Sequence, residues 1–253
     1  MTADKRLLKT RFAAHLDRYD TQAVVQDGIC ERLAETIGRV CASDATRCME
    51  IGAGTGFLTR RLAGLFPDAQ WYINDLVEAS VRYIAAHTNG LRTEYLWGDA
   101  ETVPYPDGLD LIASASVLQW FDDPARFFRR AAQALKTEGL LAFGTFGPEN
   151  FREVKAATGE GLRYPDRTRL EEMLLDAGFA VVETLEYTRS LRFATPADVL
   201  RHIRSTGVNS IRPVQWTRRT LADFEASYRN ASGSDDGSVA LTYHPILIAA
   251  RKR

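Results

Sequence analysis

Glu50-Ile51-Gly52-Ala53-Gly54-Thr55-Gly56 follows on an apolar run over 47–51 and precedes an amphipathic stretch over 57–66, with Leu58, Leu62 and Leu65 on its inner side. The run reads as a buried strand and the stretch as a helix. Three alternating glycines therefore sit at a strand-to-helix turn, where a backbone without Cβ can bend tightly and approach a ligand closely. The pattern continues outward to residue 146. Strands are expected over 70–75, 93–97, 109–115 and 140–146, with helices over 77–87 and 123–135. Asp123 is placed to cap the last helix, with Pro124 in its first turn. Such alternation predicts an α/β, Rossmann-like doubly wound sheet with its ligand at the carboxyl ends of the strands.

The flanks are different. Phe12, Leu16, Tyr19 and Ala23 recur on one helical face, which predicts an N-terminal helical cap over 1–40. Thr168-Arg169-Leu170-Glu171 reads as a capping box for a helix ending at Gly178. Strands are expected over 180–191 and 238–252. Between them, Thr195-Pro196-Ala197-Asp198 opens a helix ended near Gly207, and a further helix follows Trp216 over 217–229. Residues 192–229 are thus read as a helical insertion that forms a lid over the substrate, before a Gly/Ser/Asp turn over 230–237. The whole of 1–253 is expected to be one domain.

The 253 residues are 45% apolar and 26% charged, the profile of a globular chain rather than a disordered or fibrous one. Thirty-two Lys and Arg against 33 Asp and Glu leave a net charge of −1, which argues against nucleic-acid binding through a global positive field. Cys30, Cys41 and Cys48 cannot all pair. They form neither Cys-x-x-Cys nor zinc spacing, so no metal site and a reducing compartment are expected. The opening residues lack the apolar core of a signal peptide. Apolar stretches such as 245–250 are too short to span a bilayer. A cytoplasmic chain with no membrane partner is the expectation, with a monomer as the default.

The glycine spacing narrows the ligand. A dinucleotide fingerprint needs G-x-G-x-x-G, and Phe57 stands where its third glycine would fall. Glu50 puts a carboxylate at the same mouth, which would repel a pyrophosphate and attract the ammonium of an amino acid. Asp75, at the end of the second strand, can accept hydrogen bonds from ribose hydroxyls. Leu76 can cover a purine face, and Asp99 can accept from an adenine amino group. Amino acid, ribose and adenine are all provided for, without phosphate.

In this order, followed by a fourth strand that leads into Ser114 to Trp120, the motifs resemble the class I S-adenosylmethionine-dependent methyltransferases. The resemblance implies a seven-stranded sheet whose last strand is antiparallel. It implies S-adenosyl-L-methionine as cofactor, bound by Glu50, Gly52, Ala53, Gly54, Gly56, Asp75, Leu76, Asp99, Ala100 and Ser114.

Scattered segments resemble one subfamily. They are Arg18-Tyr19-Asp20-Thr21-Gln22-Ala23 with Gln26, Leu118-Gln119-Trp120, the stretch from Gly144 to Phe151, the stretch from His202 to Asn209, and Thr242-Tyr243-His244. Together they are similar to the malonyl-acyl-carrier-protein O-methyltransferases of biotin synthesis, the BioC family. That resemblance implies methylation of the free carboxylate of a malonyl thioester, on carrier protein or coenzyme A. A carboxylate is ionised at neutral pH and needs no general base, and the chain offers no Ser-His-Asp or Cys-His arrangement.

Arg204, with Arg201 second, is the expected partner of the substrate carboxylate. Tyr19, Gln119, Trp120 and Phe146 are expected to wall and orient the acceptor. Glu101 is expected to be solvated, and His202 structural. From 189 to 229 eight arginines stand against three acids, a basic face suited to an acidic acyl-carrier protein. Lys5, Arg6, Lys9 and Arg11 extend it. Alternatives stay open: a methyltransferase of another small carboxylic acid, phenol or amine, a nicotinamide-dependent oxidoreductase, or a domain that binds the cofactor without using it. An RNA methyltransferase is disfavoured by the net charge and by Ser114-Ala115-Ser116-Val117, where an Asn/Asp-Pro-Pro-Tyr/Phe motif would stand.

Overall fold

A computed structural model describes residues 4–206, 217–234 and 236–253. Helices α1 (Lys5–Gln22) and α2 (Val24–Val40) lead into an alternating run of elements. This comprises β1 (Arg47–Ile51), α3 (Thr59–Leu65), β2 (Gln70–Asp75), α4 (Val81–Thr88), β3 (Arg92–Trp97), β4 (Leu109–Ala115), α5 (Pro124–Ala134) and β5 (Leu135–Phe146). Then come α6 (Arg152–Thr158), α7 (Arg167–Asp176), β6 (Phe179–Glu186), β7 (Arg189–Phe193) and α8 (Pro196–Ser205). The chain closes with α9 (Arg218–Ser232), β8 (Val239–Tyr243) and β9 (Pro245–Lys252).

Seven strands form one sheet in the order β3-β2-β1-β4-β5-β9-β6, with β9 antiparallel to both of its neighbours. The α/β class is as the alternation of runs predicts, and the antiparallel last strand is as the resemblance implies. Side chains alternate between two cores at the strand period of two. Cys48, Leu111, Ala113, Leu140 and Ala142 face the core that also holds Ile29, Leu33 and Leu62 from α2 and α3. Met49, Ile51, Ile112, Leu141 and Phe143 face the core under α5 and α7, with Phe127, Phe128 and Leu170. Burial on both faces explains why these strands are continuous apolar runs. The strand order reverses at β1 and β4, and a crevice opens there.

The helix starts follow local chemistry. Asp123 Oδ1 accepts the Arg126 N–H at 2.9 Å, with Pro124 following. Thr195 and Asp198 form a reciprocal capping box at α8. At α7 the cap is two residues earlier than the Thr168 reading: Asp166 Oδ1 accepts the Arg169 N–H at 2.8 Å.

Two expected strands each divide. The 180–191 run splits into β6, in the main sheet, and β7, which pairs only with β8 in a separate ribbon. The 238–252 run splits at His244, whose Nδ1 accepts the Glu149 N–H at 3.1 Å and whose Nε2 lies 3.0 Å from Glu186 Oε1. The expected cap also divides. α2 packs on β4, β5 and β9 as a core helix, while α1 touches α8. Of the insertion, Gly207, Val208, Asn209, Arg212 and Trp216 lie outside the described residues.

Candidate active site

The glycine loop crosses the carboxyl end of β1 in left-handed backbone, with Gly52 at φ +68° and Gly56 at φ +91°. A Cβ on Gly52 would stand 2.2 Å from Val117 Cγ2, and one on Gly56 2.7 Å from His87 Cδ2. The loop thus lies flat against its neighbours and leaves one wall of a cleft to bare backbone. The cleft offers about 140 Å³ to the centres of water molecules.

Glu50, at the end of β1, is 1% exposed and lines this cleft. Thr59 Oγ1 donates to its Oε2 at 2.7 Å. Burial pushes its carboxyl up to about 8; the Thr59 hydrogen bond opposes that rise, and the neighbouring Asp75 adds to it. Asp75, at the end of β2, accepts from Gly54 N–H and Val77 N–H, each at 2.7 Å. Burial lifts it to about 6 in spite of those donors. Ala53, Gly54, Leu76, Asp99 and Ala100 line the same cleft. Ser114 does not: its Oγ donates to Ile51 O at 3.1 Å and so ties β4 to β1, while Ser116, at φ +60°, lines the cleft beyond it.

The first turn of α1 reaches this end. Lys5 Nζ donates to Asp99 Oδ2 at 2.8 Å and also to Glu101 Oε2. Burial alone would lower the Lys5 ammonium, but the two carboxylates outweigh it and hold it above its ordinary value. Lys5 is therefore part of the cleft rather than of an outer basic face. Glu101 is likewise buried rather than solvated, because its carboxylate also accepts the Asp122 and Asp123 N–H groups, both at 2.9 Å. Nothing local in the sequence marks these contacts, which span 94 and 96 residues.

Tyr19, Gln119, Trp120 and Phe146 also line the cleft, as do Gln26, Cys30 and Thr206. Tyr19 packs between Phe12 (ring centroids 5.1 Å) and Phe57 (5.8 Å). Gln119 Nε2 donates to Ser116 O at 2.6 Å. Gln26 appeared in the sequence only as part of a motif, and here its side chain is buried in the cleft wall.

Arg201 and Arg204 are not among the described cleft residues. The inner face of α8 is Val199, His202, Ile203 and Thr206, so the arginines fall on its outer face. Arg201 turns back to Asp198, and Arg204 is exposed. His202 is structural, with Nε2 2.8 Å from the Tyr243 hydroxyl.

This donor set fits S-adenosylmethionine. Two buried acids, neither comfortable as an anion, await a cation. The bare loop backbone admits a close ligand, and the Thr55 and Ser116 hydroxyls have no partner. No histidine lies among the described residues of the cleft.

A profile described as a methyltransferase domain matches residues 49–143. The malonyl-[acyl-carrier protein] O-methyltransferase of Porphyromonas gingivalis is 38% identical over 250 residues, which is 98% of this chain and 96% of that protein. That of Haemophilus influenzae is 33% identical over 251 residues, 99% of this chain and 95% of that protein. The protein of the same name from Bacteroides fragilis is 38% identical over 99% of this chain, which spans only 51% of that relative's length. Among solved structures, a putative methyltransferase from Bacillus halodurans shares the fold at TM-score 0.65 and 20% identity, covering 88% of this chain and 99% of its own. A Haemonchus contortus phosphoethanolamine N-methyltransferase, in complex with phosphomonomethylethanolamine and S-adenosylhomocysteine, does so at TM-score 0.53 and 18% identity, over 88% of this chain and 52% of its own.

Proposed function

The chain belongs to the malonyl-[acyl-carrier protein] O-methyltransferase family, and from that premise we propose that it methylates the free carboxylate of a malonyl thioester borne by acyl-carrier protein, the opening step of pimeloyl and biotin synthesis. The carrying observation is a cleft lined by the buried acids Glu50 and Asp75, which suit a cationic cofactor.

S-adenosylmethionine supplies an electrophilic methyl on a sulfonium: the carboxylate oxygen forms the new C–O bond as the S–CH₃ bond breaks, with its electron pair left on sulfur. No proton moves, so no residue of this chain has to take one. Glu50 would hold the ammonium end, Asp75 the ribose and Asp99 the adenine amino group. Gly52, Ala53 and Gly54 would hold backbone against the ligand, while Leu76 and Ala100 would cover the ring; Gly56, expected among them, does not line the cleft, because its open side packs on His87. Tyr19, Trp120 and Phe146 wall the acceptor and exclude water. Exclusion matters because two opposite charges vanish in the transition state, and water would stabilise them in the ground state. The burial of Phe146 and the tight packing of Tyr19 support this role.

We assign Arg201, Arg204, Arg218 and Arg219 to docking of the acidic carrier. All four are exposed, on α8 and α9, elements that touch each other. α1 and the described parts of the 192–229 insertion, α8 and α9, act as the lid. The cytoplasm is the expected compartment; the three cysteines are free and two are buried.

The test is intact-mass spectrometry of malonyl-loaded carrier after incubation with S-adenosylmethionine, with acetyl-loaded carrier as control. Gain of one methylene on the malonyl form alone is expected. No gain, with S-adenosylmethionine bound, would redirect the search to other small acids.

A further inference from the structure

Among the described residues, six buried side-chain polar atoms have no hydrogen-bond partner, and five of them belong to cleft residues: Gln26 Nε2 and Oε1, Thr55 Oγ1, Ser116 Oγ and Gln119 Oε1. An unpaired buried polar group is a standing cost unless something satisfies it. Such a cluster therefore marks where polar atoms of a ligand belong.

These groups are not equivalent. Gln119 spends one of its two amide N–H groups on Ser116 O, and its unpartnered Oε1 is an acceptor, which repels a carboxylate. Thr55 lies in the glycine loop, and Ser116 beyond the end of β4, both on the cofactor side. Gln26 comes from α2, lies by the Tyr243 hydroxyl and lines the cleft with Tyr19 and Phe146, the residues assigned above to the acceptor. At 3% exposure it is the one side chain there whose two amide N–H groups are both unspent.

We propose that Gln26 binds the substrate's carboxylate: its amide N–H donates to the oxygen that does not attack, leaving the other oxygen turned toward the methyl donor. This assignment rests on the functional reading above. It differs from an arginine clamp in its electrostatics. Tyr19, Cys30 and Tyr243, in and beside the cleft, are pushed up by burial and His202 is pushed down, so these groups are neutral at pH 7. The charged groups nearby are Glu50, Asp27, Arg60 and Arg61, which act on Cys30 one turn along α2, and Lys9, which acts on Asp75. Arg60 and Arg61 are paired with Asp27. A neutral donor fixes the carboxylate without cancelling its charge, so the attack on the sulfonium that neutralises both is favoured over the bound ground state.

The amide can also be kept in the right orientation. Gln26 lies close to the Tyr243 hydroxyl without a hydrogen bond of normal geometry. If the amide is turned so that Oε1 faces Tyr243 and His202 Nε2 is the donor of its 2.8 Å pair with Tyr243 Oη, the Tyr243 O–H is left to donate to Gln26 Oε1. Nε2 then faces the cleft.

The full chain, Gln26→Leu and Gln26→Glu are compared on malonyl-loaded carrier, with S-adenosylmethionine affinity and thermal melting measured for each. Gln26→Leu is expected to lose at least tenfold in kcat/KM, with cofactor Kd within twofold and no fall in melting temperature. Gln26→Glu is expected to be the weaker of the two at pH 8. Relative to wild type it should recover as pH falls toward 6, because the protonated acid is again a neutral donor. Should Gln26→Leu not fold, Gln26→Met replaces it. The assignment is overturned by leucine or methionine activity within threefold of wild type, by a parallel loss of cofactor binding, or by a glutamate-to-wild-type ratio that is flat with pH. A wild type that leaves malonyl carrier unmodified sinks the functional reading and this assignment together. A wild type and a Gln26→Leu equally active sink the assignment alone.

Discussion

Glu50 carries a proton that its position in the fold imposes. Its carboxyl moves from an ordinary 4.5 to about 8 on burial. Between those values the folded state holds the extra proton, so this group's effect on stability is neutral below 4.5 and increasingly unfavourable as pH rises to 8. Glu50→Gln is therefore expected to gain stability over wild type across that window, by roughly 2–4 kcal/mol at its upper end. Thermal melts at stepped pH read this directly. A bound cation favours the ionised form, so S-adenosylmethionine affinity of wild type should rise with pH over the same range, and that of Glu50→Gln should not. Gly52→Ala combines a strained φ with a Cβ 2.2 Å from Val117. It should cost about 2–4 kcal/mol, and Val117→Ala should restore only the part due to contact. That Glu50, Asp75 and Asp99 line one cleft was legible, because Glu50 and Asp75 stand at the ends of β1 and β2 and Asp99 just beyond β3. Lys5 and Gln26 were not. A lysine near a chain start reads as solvated, and only tertiary packing brings it to acids 94 residues away.

Elements bounded by local chemistry were read well, and those bounded by a change of partner were not. The Thr195–Asp198 capping box is complete within four residues, so α8 begins where its sequence says. Thr195→Ala should destabilise by about 1 kcal/mol, seen as a lower urea midpoint. The 180–191 and 238–252 runs keep their β-propensity throughout, and propensity is blind to the sheet in which a strand pairs. Their breaks depend on His244 meeting Glu186 and the Glu149 backbone, contacts that no window of sequence contains. The arginines of α8 were legible as a helical pair, but the choice between inner and outer face went to Val199 and Ile203, whose burial decides it. At α1, removing the ammonium with Lys5→Met should unfasten the first turn from Asp99 and Glu101. Hydrogen exchange over residues 5–12 is expected to speed up, with that of α2 unchanged.

At the scale of the whole molecule, a net charge of −1 hides an uneven distribution. The exposed arginines of α8 and α9 can steer an acidic partner although the total field is near zero. Replacing Arg201 and Arg204 with Glu should raise KM for malonyl-loaded carrier severalfold, and added salt should do the same to wild type. Malonyl-coenzyme A, which presents no protein surface, should respond to neither; steady-state kinetics on the two thioesters decides. The antiparallel course of β9 has a practical consequence. Pro245 pairs with Phe146 at the rim of the cleft, and Arg251 with Leu140 at the opposite end of the sheet. Anything tethered beyond Lys252 therefore leaves from the far side, whereas anything tethered ahead of Lys5 starts at the cleft itself. A reporter fused at the carboxyl end can ride along with the turning enzyme, and the same reporter at the amino end sits in the doorway.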